Sequence, residues 1–308
     1  MKSSSILLIG YNRPKNLNKR LIELREINRD KHDIFVVIDG PKDNQSPELH
    51  NQNIEILEKE KLQQEFNLVI RKKNLGLALN ITSSITEILK NQKSILIFED
   101  DIVISKAAIS SMNQMLMELD VKKYATVGAF GIIPYTNFCS KINRINQFRS
   151  TPYFSAWGWG IRQEVWRDYK LDISKENRIS KLEQSKNFMS LSEGKREIWL
   201  NRFERISTNV NWTWDYQMQY MSFITERNHV LPYFRLVDNC GFNDQNATNT
   251  IGKRPRWYLF PNSRIASSGE IHNFSVKKNK FLEICDSISI SGDLKFKWRK
   301  VLRIFFNK

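Results

Sequence analysis

"SILIFEDDIVIS", residues 94–105, sets three consecutive carboxylates, Glu99, Asp100 and Asp101, between two apolar flanks. The run before them has the length and continuous hydrophobicity of a strand buried on both faces. Adjacent like charges at its end repel one another, which calls for a counter-charge. Hard carboxylate oxygens at a strand end suit Mg²⁺ or Mn²⁺. The alternative is an acidic loop leading into a helix, where acids favour the dipole.

Outward from this stretch the chain alternates. Upstream lie "SILLIG" (5–10), "DIFVVIDG" (33–40) and "NLVIR" (67–71), each a short apolar run. Between them Leu17, Leu21, Leu24 and Ile27 recur at helical spacing, a polar helical stretch runs to about Phe66, and Ile81, Ile85, Ile88 and Leu89 follow. Ile109, Met112, Leu116 and Leu119 mark the next helix. Strand–helix alternation predicts an α/β domain with a mainly parallel central sheet covered on both faces. Ligands of such sheets sit beyond the carboxyl ends of the strands. Those ends carry Tyr11-Asn12-Arg13, Asp39-Gly40, Arg71 with Asn74-Leu75-Gly76, and Glu99-Asp100-Asp101.

The 308 residues suffice for one large domain or two lobes. Lys and Arg exceed Asp and Glu by 48 to 33, a net charge of +15 that favours polyanionic partners. The scattered Cys139, Cys240 and Cys285 lack metal spacing and read as reduced cytoplasmic thiols. The apolar run at residues 6–9 is too short for a signal peptide's core, and no stretch is long enough to span a bilayer. After about residue 125 the pattern changes: residues 151–166 and 211–221 hold five of the eight tryptophans. Leu294, Trp298, Val301, Leu302 and Phe305 share one face of a C-terminal basic amphipathic helix, with six basic residues and no acid between Lys295 and Lys308. That face suits an anionic membrane surface or ordinary packing on the domain.

"IGYNRP", "VVIDGPKD", "RKKNLGLALN", "FEDDIVIS", "FSAWGWGIRQEVW", "WTWDYQ" and "NCGFNDQNATNT" occur in that order over roughly residues 5–250. In this order the chain resembles nucleotide-sugar glycosyltransferases of the GT-A (Rossmann-like) fold. Within them it is most similar to the inverting group that includes N-acetylglucosaminyltransferase I and bacterial surface-glycan enzymes. The resemblance implies a nucleotide-sugar-binding half at 1–125, an acceptor-binding and catalytic half at 126–275, and a basic tail at 276–308. It implies that Tyr11, Asn12, Arg13, Asp39, Arg71, Asn74, Gly76, Glu99 and Asp100 meet the nucleotide sugar, with Asp39 accepting from a uracil N–H. Asp101 becomes the direct metal ligand, with Mn²⁺ or Mg²⁺ as cofactor and His272 as a further ligand. Trp157, Gly158, Trp159 and Asp244 then meet donor or acceptor sugar, although "NDQ" (243–245) departs from the family's acid pattern.

Asp215 takes the base position of the family, where inversion needs a carboxylate to accept the proton of the attacking hydroxyl. The implied donor is UDP-linked, and the acceptor is a surface glycan or lipid-linked glycan at the inner face of the membrane. Two rivals differ in what the sequence should contain. A nucleotidyltransferase needs a glycine-rich phosphate loop after the first strand, where only Gly10 is present. A nucleic-acid-binding protein needs basic residues interleaved with aromatics, whereas these aromatics gather around Asp215; nucleic acid is not an expected partner. Retention of Glu99, Asp100, Asp101 and Asp215 argues against a non-catalytic glycan-binding relative.

Overall fold

The strand Ser5–Gly10 (β1) has all six residues buried and lies between two parallel neighbours. These are Ile34–Ile38 (β2) and Ser94–Glu99 (β4), and Asn67–Ile70 (β3) extends the parallel run beyond β2. The computed structural model describes residues 3–27, 32–42, 47–59, 65–131, 148–242, 276–278, 280, 283–284 and 286–287. Asp244, His272 and residues 294–308 lie outside the described residues.

Alternation along β1 assigns its side chains to two cores. Ile6 and Leu8 pack with Leu17, Leu21 and Leu24 of α1 (Pro14–Arg25) and with Ile109, Met112 and Leu116 of α4 (Lys106–Glu118). Leu7 and Ile9 pack on the other face with Ile81 and Ile85 of α3 (Leu77–Leu89). Pro14 at the first turn of α1 sacrifices no helical hydrogen bond. The Ser105 hydroxyl caps α4 by accepting from Ala108 N–H at 3.0 Å. The polar stretch after β2 contains α2, Glu48–Lys59.

The sheet is mixed, not mainly parallel as the alternation predicts. Trp159–Arg162 (β8) runs antiparallel between β4 and Tyr124–Gly128 (β6). Gly160 permits the close approach, since a Cβ there would stand 2.7 Å from the Leu96 side chain. Asn228–Pro232 (β9) is parallel to β6, Phe148–Thr151 (β7) is antiparallel to β9, and Val276–Lys278 (β11) pairs with β7, giving nine strands among the described residues. A small ribbon joins Ile102–Val103 (β5) to Asp238–Asn239 (β10). The helices Gln163–Trp166 (α5), Arg178–Glu183 (α6), Lys186–Met189 (α7), Glu193–Thr208 (α8) and Asp215–Ile224 (α9) follow β8 in the chain. A third core forms among them around Trp199, Phe203 and Phe223. Among the described residues no helix is long and apolar enough to cross a membrane.

Candidate functional site

The carboxyl ends of β1, β2 and β4 and the start of α9 enclose a cavity of about 490 Å³. Tyr11, Asn12, Arg13, Asp39, Asn74, Gly76 and all three acids of the 99–101 motif line it, together with Trp157 and Asp215. The sequence separates these residues by up to 204 positions; the sheet order brings them to one edge. Lys42, Asn80, Trp212 and Asn239, which fall inside the quoted motifs but are not singled out by them, also line it, as do Asn209 and Asn211 outside them.

Arg13 is the counter-charge of the acidic motif. Its guanidinium reaches Asp100 Oδ1 at 2.5 Å and Asp101 Oδ2 at 2.9 Å. Burial works against the Arg13 charge, but Asp100 and Asp101 outweigh it and hold its pKa above the ordinary arginine value. Burial raises the Glu99 carboxyl above the usual carboxylate range, and repulsion from Asp101 raises it further. Asp100 is likewise raised, by burial first, with Arg13 pulling it back. The motif is tied to β10 by Cys240 N–H donating to the Asp101 carbonyl at 2.8 Å.

The donor chemistry of this motif suits a hard divalent ion, yet its arrangement does not fit one. Arg13 already engages both Asp100 and Asp101. Among the described residues no group of three or more His, Cys, Asp or Glu side chains is disposed around a common ion position.

Asp39 has turned inward. Its Oδ1 accepts from Gly40 N–H and Leu75 N–H, both at 2.9 Å. Its Oδ2 accepts from Gly76 N–H at 3.0 Å and from the Asn74 amide at 3.2 Å. Burial raises this carboxyl, and the backbone donors offset part of the rise. The Asn74 amide also donates to the Gly40 carbonyl at 2.7 Å. Asp39 therefore clamps the turn that leads into α3 through Gly76, whose φ of +76° suits glycine. Arg71 does not line the cavity. Its Nε donates to Asn80 Oδ1 at 2.6 Å, and its Nη2 donates to Ser84 Oγ at 3.0 Å.

The two tryptophans of the glycine-rich stretch separate. Trp159 is 1% exposed and stacks on Trp214 at 5.1 Å, deep in the core. Trp157 lines the cavity, braced edge to face by Phe130 at 4.7 Å and Phe242 at 5.7 Å. Gly158 also lies off the cavity wall; it makes the bend between them, with φ of +67°.

Asp215 opens α9, where an acid suits the helix N-terminus. The Thr213 hydroxyl donates to its Oδ1, and Tyr216 N–H donates to the same oxygen at 3.0 Å. Burial raises its carboxyl, while Thr213, backbone donors and the Arg202 charge pull it down. Asp215 also lines a second cavity of about 210 Å³, with Phe130, Phe154, Trp157, Trp199 and Tyr216 among its walls. It stands where the two cavities meet, the smaller carrying a second acid, Asp286, beside its aromatic walls.

No family model and no curated protein matches the chain. Among solved structures it is similar to a mannosyltransferase from Pyrobaculum calidifontis in complex with GDP-Man and Mn²⁺, at 10% identity and a TM-score of 0.41, covering 73% of this chain and 71% of that one. It is also similar to the glycosyltransferase GlyE of Streptococcus pneumoniae TIGR4, at 12% identity and a TM-score of 0.35, covering 99% of this chain and 64% of that one. A third is GalNAc-T7 with UDP, GalNAc and Mn²⁺, at 9% identity and a TM-score of 0.39, covering 76% and 45%. Similarities of this size leave function to be argued from the chain's own residues.

Proposed function

We propose that the chain is an inverting glycosyltransferase of the GT-A type, transferring a sugar from a UDP-linked donor to a hydroxyl of a glycan or lipid-linked glycan. The observation that carries this reading is the position of Asp215, shared between the two cavities. The larger cavity takes the nucleotide sugar, with its diphosphate towards Arg13. The smaller, aromatic cavity takes the acceptor, because flat rings present apolar faces to sugars.

Asp215 accepts the proton of the acceptor hydroxyl as that oxygen attacks the anomeric carbon. The bond from that carbon to the diphosphate oxygen breaks on the opposite face, and the electron pair leaves with the nucleoside diphosphate. Positive charge building on the sugar ring faces the carboxylates of Asp215 and the 99–101 motif. Arg13 meets the negative charge growing on the leaving group. No step is assigned to a divalent ion, because Arg13 engages the acids that would bind it. The basic residues after Leu294 fit a cytoplasmic enzyme resting on an anionic membrane.

Nucleoside-diphosphate release from a panel of sugar nucleotides, with wild type and Asp215→Asn, tests the assignment. Turnover lost in Asp215→Asn while UDP still binds supports it. Wild type that neither binds nor turns over any sugar nucleotide refutes it. Comparison of vesicle binding with and without residues 294–308 tests the membrane reading.

A further inference from the structure

The turn in front of Asp215 has no part in the transfer scheme. Where α8 ends, Asn209 N–H donates to the Arg205 carbonyl at 3.1 Å. Trp212 N–H then donates to the Asn209 carbonyl, also at 3.1 Å, which folds residues 209–212 into a β-turn. The buried Gln217 of α9 donates from its amide to the Val210 carbonyl at 3.4 Å and pins the turn to the helix that Asp215 opens. The Arg205 guanidinium carbon stands 3.7 Å from the centroid of the Trp212 ring, and Tyr216 meets that ring edge to face at 5.5 Å. Asn209, Asn211 and Trp212 all line the larger cavity, whereas Arg205 and Tyr216 do not. The ring is thus braced from outside the cavity that it walls.

An asparagine that opens a turn commonly spends its side-chain oxygen on the backbone two residues on. Asn209 does not. Among the described residues neither its carboxamide, nor that of Asn211, nor the Trp212 indole N–H has a hydrogen-bond partner. Both asparagines are exposed, so neither amide serves the core. Each carboxamide donates and accepts and carries no charge, whereas an ionised carboxylate only accepts. The carboxylates of this cavity gather near Asp215, whose charge is felt at Glu99, and Asp100 and Asp101 follow Glu99 in the chain. Its cations are engaged or lie elsewhere: Arg13 is paired with Asp100 and Asp101, and Lys42 follows β2, where its N–H meets the Tyr11 hydroxyl. A ligand between the turn and these acids is therefore favoured when it brings neutral hydroxyls and disfavoured when it brings a carboxylate.

We infer that Asn209, Asn211 and Trp212 form the subsite for the sugar of the donor, and that they select an uncharged hexosyl unit, held through its hydroxyls, over a hexuronosyl one. The inference rests on the reading of the larger cavity as the donor site. Transfer puts the anomeric carbon between Asp215 and the diphosphate at Arg13, which brings the sugar ring beside this turn. The amides supply the donors that the acids lack, and the indole adds an apolar surface for the C–H face of the ring. Calorimetric titrations compare UDP, UDP-glucose, UDP-galactose, UDP-N-acetylglucosamine and UDP-glucuronate. The proteins are wild type, Asn209→Ala, Asn211→Ala and Trp212→Phe, each checked by its thermal midpoint.

In wild type the best neutral sugar nucleotide is expected to bind about tenfold more tightly than UDP-glucuronate, the scale of one unfavourable charge contact. Asn209→Ala and Asn211→Ala should each weaken that neutral ligand about three- to tenfold, as one lost hydrogen bond does, and leave UDP affinity unchanged. Trp212→Phe, which keeps a ring against Arg205 and loses the indole N–H, should do the same. UDP-glucuronate bound as tightly as the neutral ligands overturns the inference. So does a ratio of sugar-nucleotide to UDP affinity that survives all three variants, or a parallel loss of both ligands, which gives the turn to the nucleotide or to the fold. Wild type that binds no UDP sinks the donor reading and the inference with it, whereas UDP binding with unaltered ratios sinks the inference alone. An asparagine-dependent preference in a protein that turns over no sugar nucleotide sinks the transferase reading and leaves the subsite standing.

Discussion

Removal of the Asp39 carboxylate tests whether that residue reads a nucleotide or holds the fold. Asp39 is 4% exposed and accepts from four donors, three of them backbone N–H groups that no substitution elsewhere can delete. In Asp39→Ala all four lose their acceptor. A lost hydrogen bond to a charged group costs about 1.5–3 kcal/mol, but neighbouring losses are not additive and water from the cavity can enter. A net loss of about 3–5 kcal/mol is expected, a large share of the stability of an ordinary domain. Asp39→Asn keeps one acceptor oxygen and turns an NH₂ group towards two donors, so about 2–4 kcal/mol should be lost. Urea unfolding gives the stabilities, and calorimetric UDP titration at low temperature gives the binding. Wild-type urea midpoints in both variants, with UDP affinity lost, would refute the clamp and return Asp39 to the nucleotide-reading role implied by the family resemblance.

The other predictions concern the core, the base and the acidic motif. Trp159→Ala should cost about 3–5 kcal/mol in urea unfolding as a large buried ring is deleted. Trp157→Ala should cost about 1–2 kcal/mol, losing edge-to-face contacts rather than a core position, and should weaken saccharide binding seen by NMR. Thr213→Val removes a donor that holds the Asp215 carboxyl down. The base must be ionised, so activity rises with pH through its pKa, and the acid limb of the pH–rate profile should move to higher pH; an unmoved limb counts against Asp215 as base. Arg13→Gln removes the cation held by Asp100 and Asp101. Mn²⁺ affinity followed by electron paramagnetic resonance should then rise above wild type, and an unchanged affinity refutes competition between Arg13 and the ion.

The parallel half of the sheet is legible because its physics is local. A strand buried on both faces needs a continuous apolar run, and Ser5–Gly10 supplies one that the structure reproduces residue for residue. The helical stripes at Leu17, Leu21 and Leu24 and at Ile81 and Ile85 fall on the buried faces of α1 and α3. The convergence of polar groups follows, since strand ends in a parallel sheet share one edge. Partner choice at that edge is not local. Asp39 and Arg71 look like ligand-facing groups until the loops after β2 and β3 come together. They meet so tightly at Gly40 that a Cβ there would lie 2.4 Å from the Lys73 carbonyl carbon. Only that approach gives the Asp39 carboxylate its donors from Asn74, Leu75 and Gly76. The direction of β8 is equally hidden, because a four-residue strand with three buried residues reads alike whichever way it runs.

Trp157 and Trp159 show the limit most sharply. Side chains two residues apart in a strand point to the same side, so the spacing alone would send both indoles into the core or both into the site. Gly158 breaks the alternation. Its φ of +67° lies in the left-handed region, and a Cβ there would sit 3.1 Å from the Phe98 ring. Glycine alone meets both conditions without strain. The turn sends Trp159 into β8, against Trp214, and leaves Trp157 at the mouth shared by both cavities. Because Trp214 immediately precedes Asp215, one glycine connects the packing of the core, the aromatic wall and the placement of the proposed base.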